Sequence, residues 1–399
     1  MNSHVLAAWT AAFFASASLF SHTVAARLLL LILGTAFAIG AIAKHRQSIR
    51  ILPPIWWPFA LWAAWAALSL TWSLDPQISD KELRNEIVYA AFALWVCYVA
   101  AQAPGAPRIM LSVLAAASAA VCAIALYYFR LGWGHYSTGY HGGAGNLSSA
   151  LLTLMPCVLM AGWYAGRAGL PALAQASALA LAVLLLAAAY TTLNRTVWLG
   201  FTGEILLIGA LIGLRKDTPT SRGAKIAGAA LAVAVVASGI LMTLQIQSER
   251  AKVVANAPPL AKDSRLALWP EVIELIERRP YTGYGFGRGI LRKPLKQETG
   301  NPVLWHAHNL FLDTLLQTGV PGLLLLLLLL SATAREGWRL ARDQDDAAAA
   351  CGIALIAVIA GMIVRNITDV LWVRQNALLY WGIVGILLGW GAKLRTRAA

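Results

Sequence analysis

The residues best able to do chemistry lie between Arg195 and Asp369, and His308 leads them. It stands at the mouth of an apolar run that reads His308-Asn309, nine residues, then Gly319, two residues and Gly322. An imidazole exchanges protons near neutral pH, so His308 suits a general base. On local sequence alone a second role fits equally well, that of a helix cap or an interface anchor. Arg195, in the short turn Thr191-Thr192-Leu193-Asn194-Arg195-Thr196, and Arg265, at the head of an amphipathic segment, each present a planar fork suited to phosphate. The alternative for a lone arginine there is snorkelling to the interface. Arg265 gains from the free N–H groups of the helix it opens. Arg288, His306, Asn309 and Asp369 are further candidates for holding substrate, Asp369 in a polar set with Arg365, Asn366 and Arg374. Lys81 and Arg84 join that group of candidates, although Asp75, Asp80, Glu82 and Glu86 nearby make local ion pairing their default.

These groups need elements to aim them, and the elements are apolar. Of 399 residues, 59% are hydrophobic and 13% charged, a balance that excludes a soluble domain. Runs long enough for a membrane helix fall near 5–20, 24–43, 55–72, 86–102, 107–129, 146–166, 171–190, 196–214, 224–244, 309–330, 347–367 and 376–392. The expected fold is therefore an all-α polytopic membrane protein of about twelve transmembrane helices. It divides into helices 1–9 over residues 1–244, a large polar loop with amphipathic helices over 245–308, and helices 10–12 with a short tail over 309–399. With the N-terminus inside, the inner loops and tail collect fifteen Lys and Arg. The short outer loops hold seven: Arg27, Lys81, Arg84, Arg130, Arg195, Arg365 and Arg374. That asymmetry places both termini in the cytoplasm and the long loop outside. The first run lacks a basic n-region and a cleavage site, so it reads as a retained helix. Half of the formal charge of +14 is this topological signal, so membrane lipid or pyrophosphate, and no nucleic acid, is the expected partner.

Within the long loop, Leu268, Trp269, Val272, Ile273, Leu275 and Ile276 recur at helical spacing after Asp263 or Ser264 as N-cap, which suits a helix lying on the membrane surface. Pro280 to Gly289 then makes tight turns; its G-x-G-x-G spacing lacks the βαβ context of a dinucleotide site. In the tenth run, Asn309, Asp313 and Gln317 form a polar stripe facing the bundle interior or a cavity. Gly319, about 16 Å deeper than His308 on a continuous helix, and Gly322 are expected to let neighbouring helices approach. Glu204 inside the eighth run needs a buried partner or a water path. Trp56, Trp57, Trp62, Trp65 and Trp72 read first as an aromatic belt. The Gly-rich stretch Gly132 to Gly145, with His135, Tyr136, Tyr140 and His141, could stack on sugar rings or simply connect helices. Cys97, Cys122, Cys157 and Cys351 are apolar fillers without metal or disulfide spacing. No inverted pair of broken helices, the mark of many carriers, is visible.

Taken together, these residues resemble the O-antigen ligase superfamily. The resemblance rests on His308-Asn309 with Gly319 and Gly322, on Asn194-Arg195-Thr196, and on Asp263-Ser264-Arg265 with Trp269 and Pro280…Gly283-x-Gly285-x-Gly287. It is specific over roughly 190–322 and generic elsewhere; Asn194 stands where the family usually has a small residue. What it implies is transfer of a glycan from undecaprenyl pyrophosphate to a sugar hydroxyl of lipid A–core, on the periplasmic face of a bacterial inner membrane. His308 would be the base, and Arg195 and Arg265 would hold the pyrophosphate, with Arg288 a weaker addition. Pyrophosphate is already a good leaving group, so no nucleotide, metal or other cofactor is expected, and direct attack would invert the anomeric centre. A monomer is expected. The alternatives are an O-antigen polymerase using the same donor and, from a different class, a transporter or flippase for a lipid-linked solute.

Overall fold

The computed structural model describes residues 3–133, 140, 142–215, 222–253, 264–300, 306–370 and 374–398. Among these residues all regular structure is helical. In chain order the helices are α1 (Ser3–Ala17), α2 (Val24–His45), α3 (Trp56–Leu68), α4 (Pro76–Leu83), α5 (Tyr89–Ala101), α6 (Ala106–Tyr128), α7 (Ala144–Arg167) and α8 (Ala172–Thr191). They continue with α9 (Arg195–Gly213), α10 (Arg222–Val253), α11 (Ser264–Arg278), α12 (Arg292–Thr299), α13 (Leu310–Ala341), α14 (Asp346–Asn366) and α15 (Gln375–Ala398). Nine helical stretches among the described residues are long and apolar enough to cross a membrane; α4 and α5 join through a π turn into one of them.

All twelve expected apolar runs are helical, but two fall short of a full span. α1 has 15 residues and α3 has 13. At 1.5 Å per residue α3 covers about 20 Å, against about 30 Å of hydrocarbon. It ends in a 3-10 turn, Ser69–Trp72.

The core sits on α5, α14 and α15. α14 and α15 are buried on nearly every face. Gly385 and Gly389 of α15 are the reason α5 can approach so closely: a methyl group at either would strike the carbonyl oxygen of Leu94 or Tyr98. The outer helices behave oppositely. Leu29 and Ile32 of α2 and Leu173 and Leu179 of α8 are exposed, and such an apolar outer face is stable only against lipid.

The segment between α10 and α13 builds a small core of its own. Leu268, Val272 and Leu275 of α11 are buried with Ile290, Leu291 and Leu295, and with Ala307 and Leu316 at the head of α13. This corrects the expected surface-lying helix. The α11 stripe faces the protein, and only Ile273 of that set is prominently exposed. Of the two candidate N-caps, Ser264 is the first helical residue, while Asp263 lies outside the described residues.

Candidate functional site

α13 is not continuous. Gly319 has φ 67° and ψ −172°, a conformation open essentially to glycine alone, and it breaks the helix. Breaking a helix frees carbonyl oxygens that cannot stay unpaired at depth. Here the turn from Pro280 to Gly289 fills the gap. Tyr284 N–H donates to Leu316 C=O at 2.8 Å and Gly285 N–H to Gln317 C=O at 2.8 Å, while Val320 N–H donates to Pro280 C=O at 2.7 Å. Trp65 of α3 donates its indole N–H to Thr318 C=O, and Trp72 does the same to Thr282 C=O, both at 2.8 Å. Gly283 (φ 61°) lies so near that a Cβ would come within 2.5 Å of the Gln317 backbone. The expectation of unbroken helices therefore fails at Gly319, and two of the five tryptophans expected in a belt are fasteners for the break. Trp62 is buried, edge-on to Phe286, whereas Trp56 and Trp57 are exposed as a belt requires.

That fastened break carries the rest of the loop on the polar stripe. Gln317 Oε1 accepts from Gly287 N–H at 2.8 Å, and Asp313 Oδ1 accepts from Ala307 N–H at 2.7 Å. Asn309 is the N-cap of α13, accepting from Phe311 and Leu312 N–H and donating to Ile367 C=O at 3.1 Å. The three side chains thus hold backbone. Trp269 of α11 adds an indole bond to Ala307 C=O at 3.0 Å. With Ala307 held from two sides, the chain turns through His308 at φ 50°, a left-handed value rare for a side-chain-bearing residue. His308 N–H donates to His306 Nδ1 at 3.0 Å, and the two rings lie 3.8 Å apart.

His306 is thereby fixed as a neutral ring whose Nδ1 is an acceptor. Burial pushes its pKa down to about 3, with the charges of His308, Arg288 and Arg265 acting in the same direction and Asp369 opposing. Its Nδ1 lies 3.8 Å from Asp313 Oδ2. That is no ion pair, because the lone pair facing it already takes the His308 N–H.

The third member arrives from α14. Arg365, buried at the end of that helix, binds Asp369 Oδ2 at 2.6 Å, and Val370 N–H donates to Asp369 Oδ1 at 2.9 Å. Burial alone would raise this carboxyl. The Arg365 charge and the two hydrogen bonds outweigh burial and hold it well below the usual carboxylate range. Asp369, His306 and His308 bring ligand-type atoms within 4.8 Å of one another, a spacing that a divalent cation could use. His306 Nδ1 already accepts the His308 N–H and each Asp369 oxygen holds one hydrogen bond, while the surrounding charges are arginines.

Arg265 and Asp369 line a cavity of about 190 Å³ together with Ala144 and Gly145 at the start of α7 and with Thr192, Leu193 and Asn194. The turn before Arg195, the head of α11 and the end of α14 therefore meet at this cavity. Arg195 is the first residue of α9, and Asn194 caps that helix by accepting from Thr196 N–H at 3.1 Å. The α7 start was not foreseen. Gly145 was legible only as part of a Gly-rich loop, yet a Cβ there would sit 3.3 Å from the Arg365 guanidinium. His135, Tyr136 and His141 of that loop lie outside the described residues.

Arg288 lines a neighbouring crevice with Glu86, Asp313 and Gln317. Lys81 and Arg84 stand apart from both cavities on the exposed side of the α4 region, with Arg84 paired to Asp80 at 2.8 Å. The useful residue between them is Glu82, which accepts the Gly289 N–H at 3.2 Å and anchors the glycine turn. Glu204 is fully buried where Gly361 of α14 leaves room, and neither carboxyl oxygen has a hydrogen-bond partner among the described residues. The cysteines are free.

Fold and site together define a polytopic helical membrane protein with histidine, carboxylate and arginine gathered at one mouth of its helix bundle. Residues 180–327 match the family model described as O-Antigen ligase. The match spans Arg195, Arg265, Arg288, His308 and the Gly319 break. No curated protein matches the chain.

Proposed function

We propose that this protein is an O-antigen ligase that moves O-antigen glycan from undecaprenyl pyrophosphate to a sugar hydroxyl of lipid A–core at the periplasmic face of the inner membrane. The observation that carries the proposal is the cavity where Arg265, Asp369 and the turn before Arg195 meet, beside the His306–His308 pair. A pyrophosphate needs cations, and an attacking hydroxyl needs a base next to them.

In the step itself His308 takes the proton of the acceptor hydroxyl as that oxygen bonds to the anomeric carbon. The bond from the anomeric carbon to the phosphate oxygen breaks, and its electron pair leaves on undecaprenyl pyrophosphate. Arg195 and Arg265 bind the growing negative charge. Attack opposite the leaving group inverts the anomeric centre. Asp369, held by Arg365, gives the base a fixed negative neighbour that favours the imidazolium formed during transfer. The reaction needs no metal; if metal-stripped protein lost activity and a divalent cation restored it, that part fails.

The decisive test gives purified protein both undecaprenyl-pyrophosphate glycan and lipid A–core. Glycan on the core is the expected product. Lengthened lipid-linked glycan with unmodified core would make the protein a polymerase. Net movement of intact donor across a vesicle membrane without transfer would make it a flippase. His308→Ala should abolish transfer while the protein stays folded, and retained turnover would remove His308 as the base.

A further inference from the structure

At the opposite end of the bundle a second cationic cavity lies outside the proposed reaction. Arg50, Arg339 and Arg395 line a space of about 240 Å³ whose floor includes Tyr98, Leu340 and Leu388, all three buried. Arg339 lies 20 residues beyond the Gly319 break of α13, roughly 30 Å at helical rise. We infer that this cavity binds the headgroup of an anionic glycerophospholipid.

The three arginines are held in different ways. Arg339 pairs with Glu336 at 2.9 Å, and Arg395 pairs with Asp343 at 3.1 Å. Arg50 is placed by its backbone: its N–H donates to Gln102 Oε1 and its C=O accepts from Gln102 Nε2, both at 2.9 Å. Gln102 is buried, so this clamp fixes the Arg50 Cα at the cavity rim. The Arg50 guanidinium itself has no hydrogen bond or ion pair among the described residues. Three arginines against the carboxylates of Glu336 and Asp343 leave one positive charge, which suits one phosphodiester.

The apolar side of the site selects a lipid over a free anion. Directly after Arg50 come Ile51, Leu52, Trp56 and Trp57, all exposed, and Trp95 pins that stretch by donating to Ile51 C=O at 3.0 Å. Exposed tryptophan and leucine beside arginine at the end of membrane helices mark the boundary between headgroups and hydrocarbon. A phosphate seated among the arginines would let its acyl chains run along this stretch. Basic pockets between helices at the inner leaflet are suited to such headgroups.

The test uses the full-length protein in detergent, with native mass spectrometry to count retained lipid and a thermal melt as the second readout. Phosphatidylglycerol should be retained and should raise the melting temperature, while phosphatidylcholine of the same chains should do neither. Arg50→Gln should weaken phosphatidylglycerol retention about fivefold; the backbone clamp survives that change, so the variant stays folded. Arg108→Ala, an exposed cation at the same end but outside the cavity, should leave retention unchanged. Equal retention of the two lipids overturns the inference, as does an Arg108→Ala effect matching that of Arg50→Gln. Stabilisation by inorganic phosphate equal to that by phosphatidylglycerol would show a simple anion site and reject the lipid.

Discussion

Two glycines three residues apart in α13, Gly319 and Gly322, should respond very differently to alanine. At Gly319 the φ of 67° and ψ of −172° lie in a region worth about 1–3 kcal/mol of strain for any residue with a Cβ. The added methyl would also collide with the Tyr281 carbonyl and stand 2.8 Å from the Pro280 oxygen. The glycine turn must then move, and it is held by Val320 to Pro280, Tyr284 to Leu316 and Gly285 to Gln317, each bond contributing about 1 kcal/mol. Losing one or two of them brings the total to about 2–5 kcal/mol. Gly322 differs because its backbone is helical. Its methyl would meet the Thr318 side chain, whose Cβ at 2.5 Å no rotation clears, and Trp65 at 3.3 Å. Overpacking of that kind costs about 1–3 kcal/mol and helix propensity returns about 1 kcal/mol, so the net cost should be about 0–2 kcal/mol. Unfolding of the purified protein by sodium dodecyl sulfate, followed by tryptophan fluorescence, compares the two variants directly. Gly319→Ala should also lose transfer activity, because the turn carries Arg288 and supports the His306–His308 segment. Equal destabilisation by both substitutions would refute the broken-helix account and return Gly319 to a plain packing role.

Other substitutions probe the same assembly. Asp313→Ala removes the acceptor for Ala307 N–H and should cost about 1.5–3 kcal/mol with a fall in kcat, while Asp313→Asn keeps an acceptor and should restore most of both in the same unfolding and transfer assays. His306, held at about 3, stays neutral in the fold while an unfolded histidine protonates near 6.5. Folded His306 binds fewer protons than unfolded, so stability present above pH 6.5 is lost as pH falls towards 3. Between pH 7 and 5 the loss is about 2 kcal/mol more for the native protein than for His306→Asn; identical pH profiles would remove the neutral-ring assignment. Arg265→Ala should raise the KM for lipid-linked donor about tenfold or more, from the loss of one charge-assisted contact, and leave acceptor KM unchanged. An unchanged donor KM would take Arg265 out of the pyrophosphate site.

The sequence was most legible where chemistry is tied to local spacing. His308-Asn309, Arg195 and Arg265 stood out because each pairs a reactive side chain with a helix start, and the structure brings Arg265, the Arg195 turn and Asp369 to one cavity. It was least legible where one residue serves partners far along the chain. Trp65 and Trp72 lie seven apart, close to one helical face, and that spacing was the available signal. Nothing local could say that their partners are Thr318 and Thr282. The periodicity of α11 correctly marked an apolar stripe. Amphipathicity is blind to whether lipid or protein covers that stripe, and here Leu291, Leu295 and Leu316 do. Gly319 misled for a related reason. In an apolar run, glycine for close approach and glycine for a positive φ look alike, and only the nearness of Pro280 and Tyr281 distinguishes them.

The broken helix also bears on the choice between transferase and carrier. Carriers use the ends of interrupted helices to coordinate their solute, so the freed carbonyls line a cavity and the flanking halves move. In α13 the carbonyls of Leu316, Gln317 and Thr318 are all consumed by the protein, two by the glycine turn and one by Trp65. The same break fixes Ala307 through Asp313 and sets the left-handed His308. An element committed at both faces to holding His308 in one orientation has little freedom to alternate. A rigid base beside cations is what displacement of a pyrophosphate requires. If α13 is the scaffold of the proposed transfer, a disulfide engineered between the glycine turn and α13 should leave transfer intact in oxidised protein. Loss of transfer on oxidation, recovered on reduction, would show instead that the break must open during turnover.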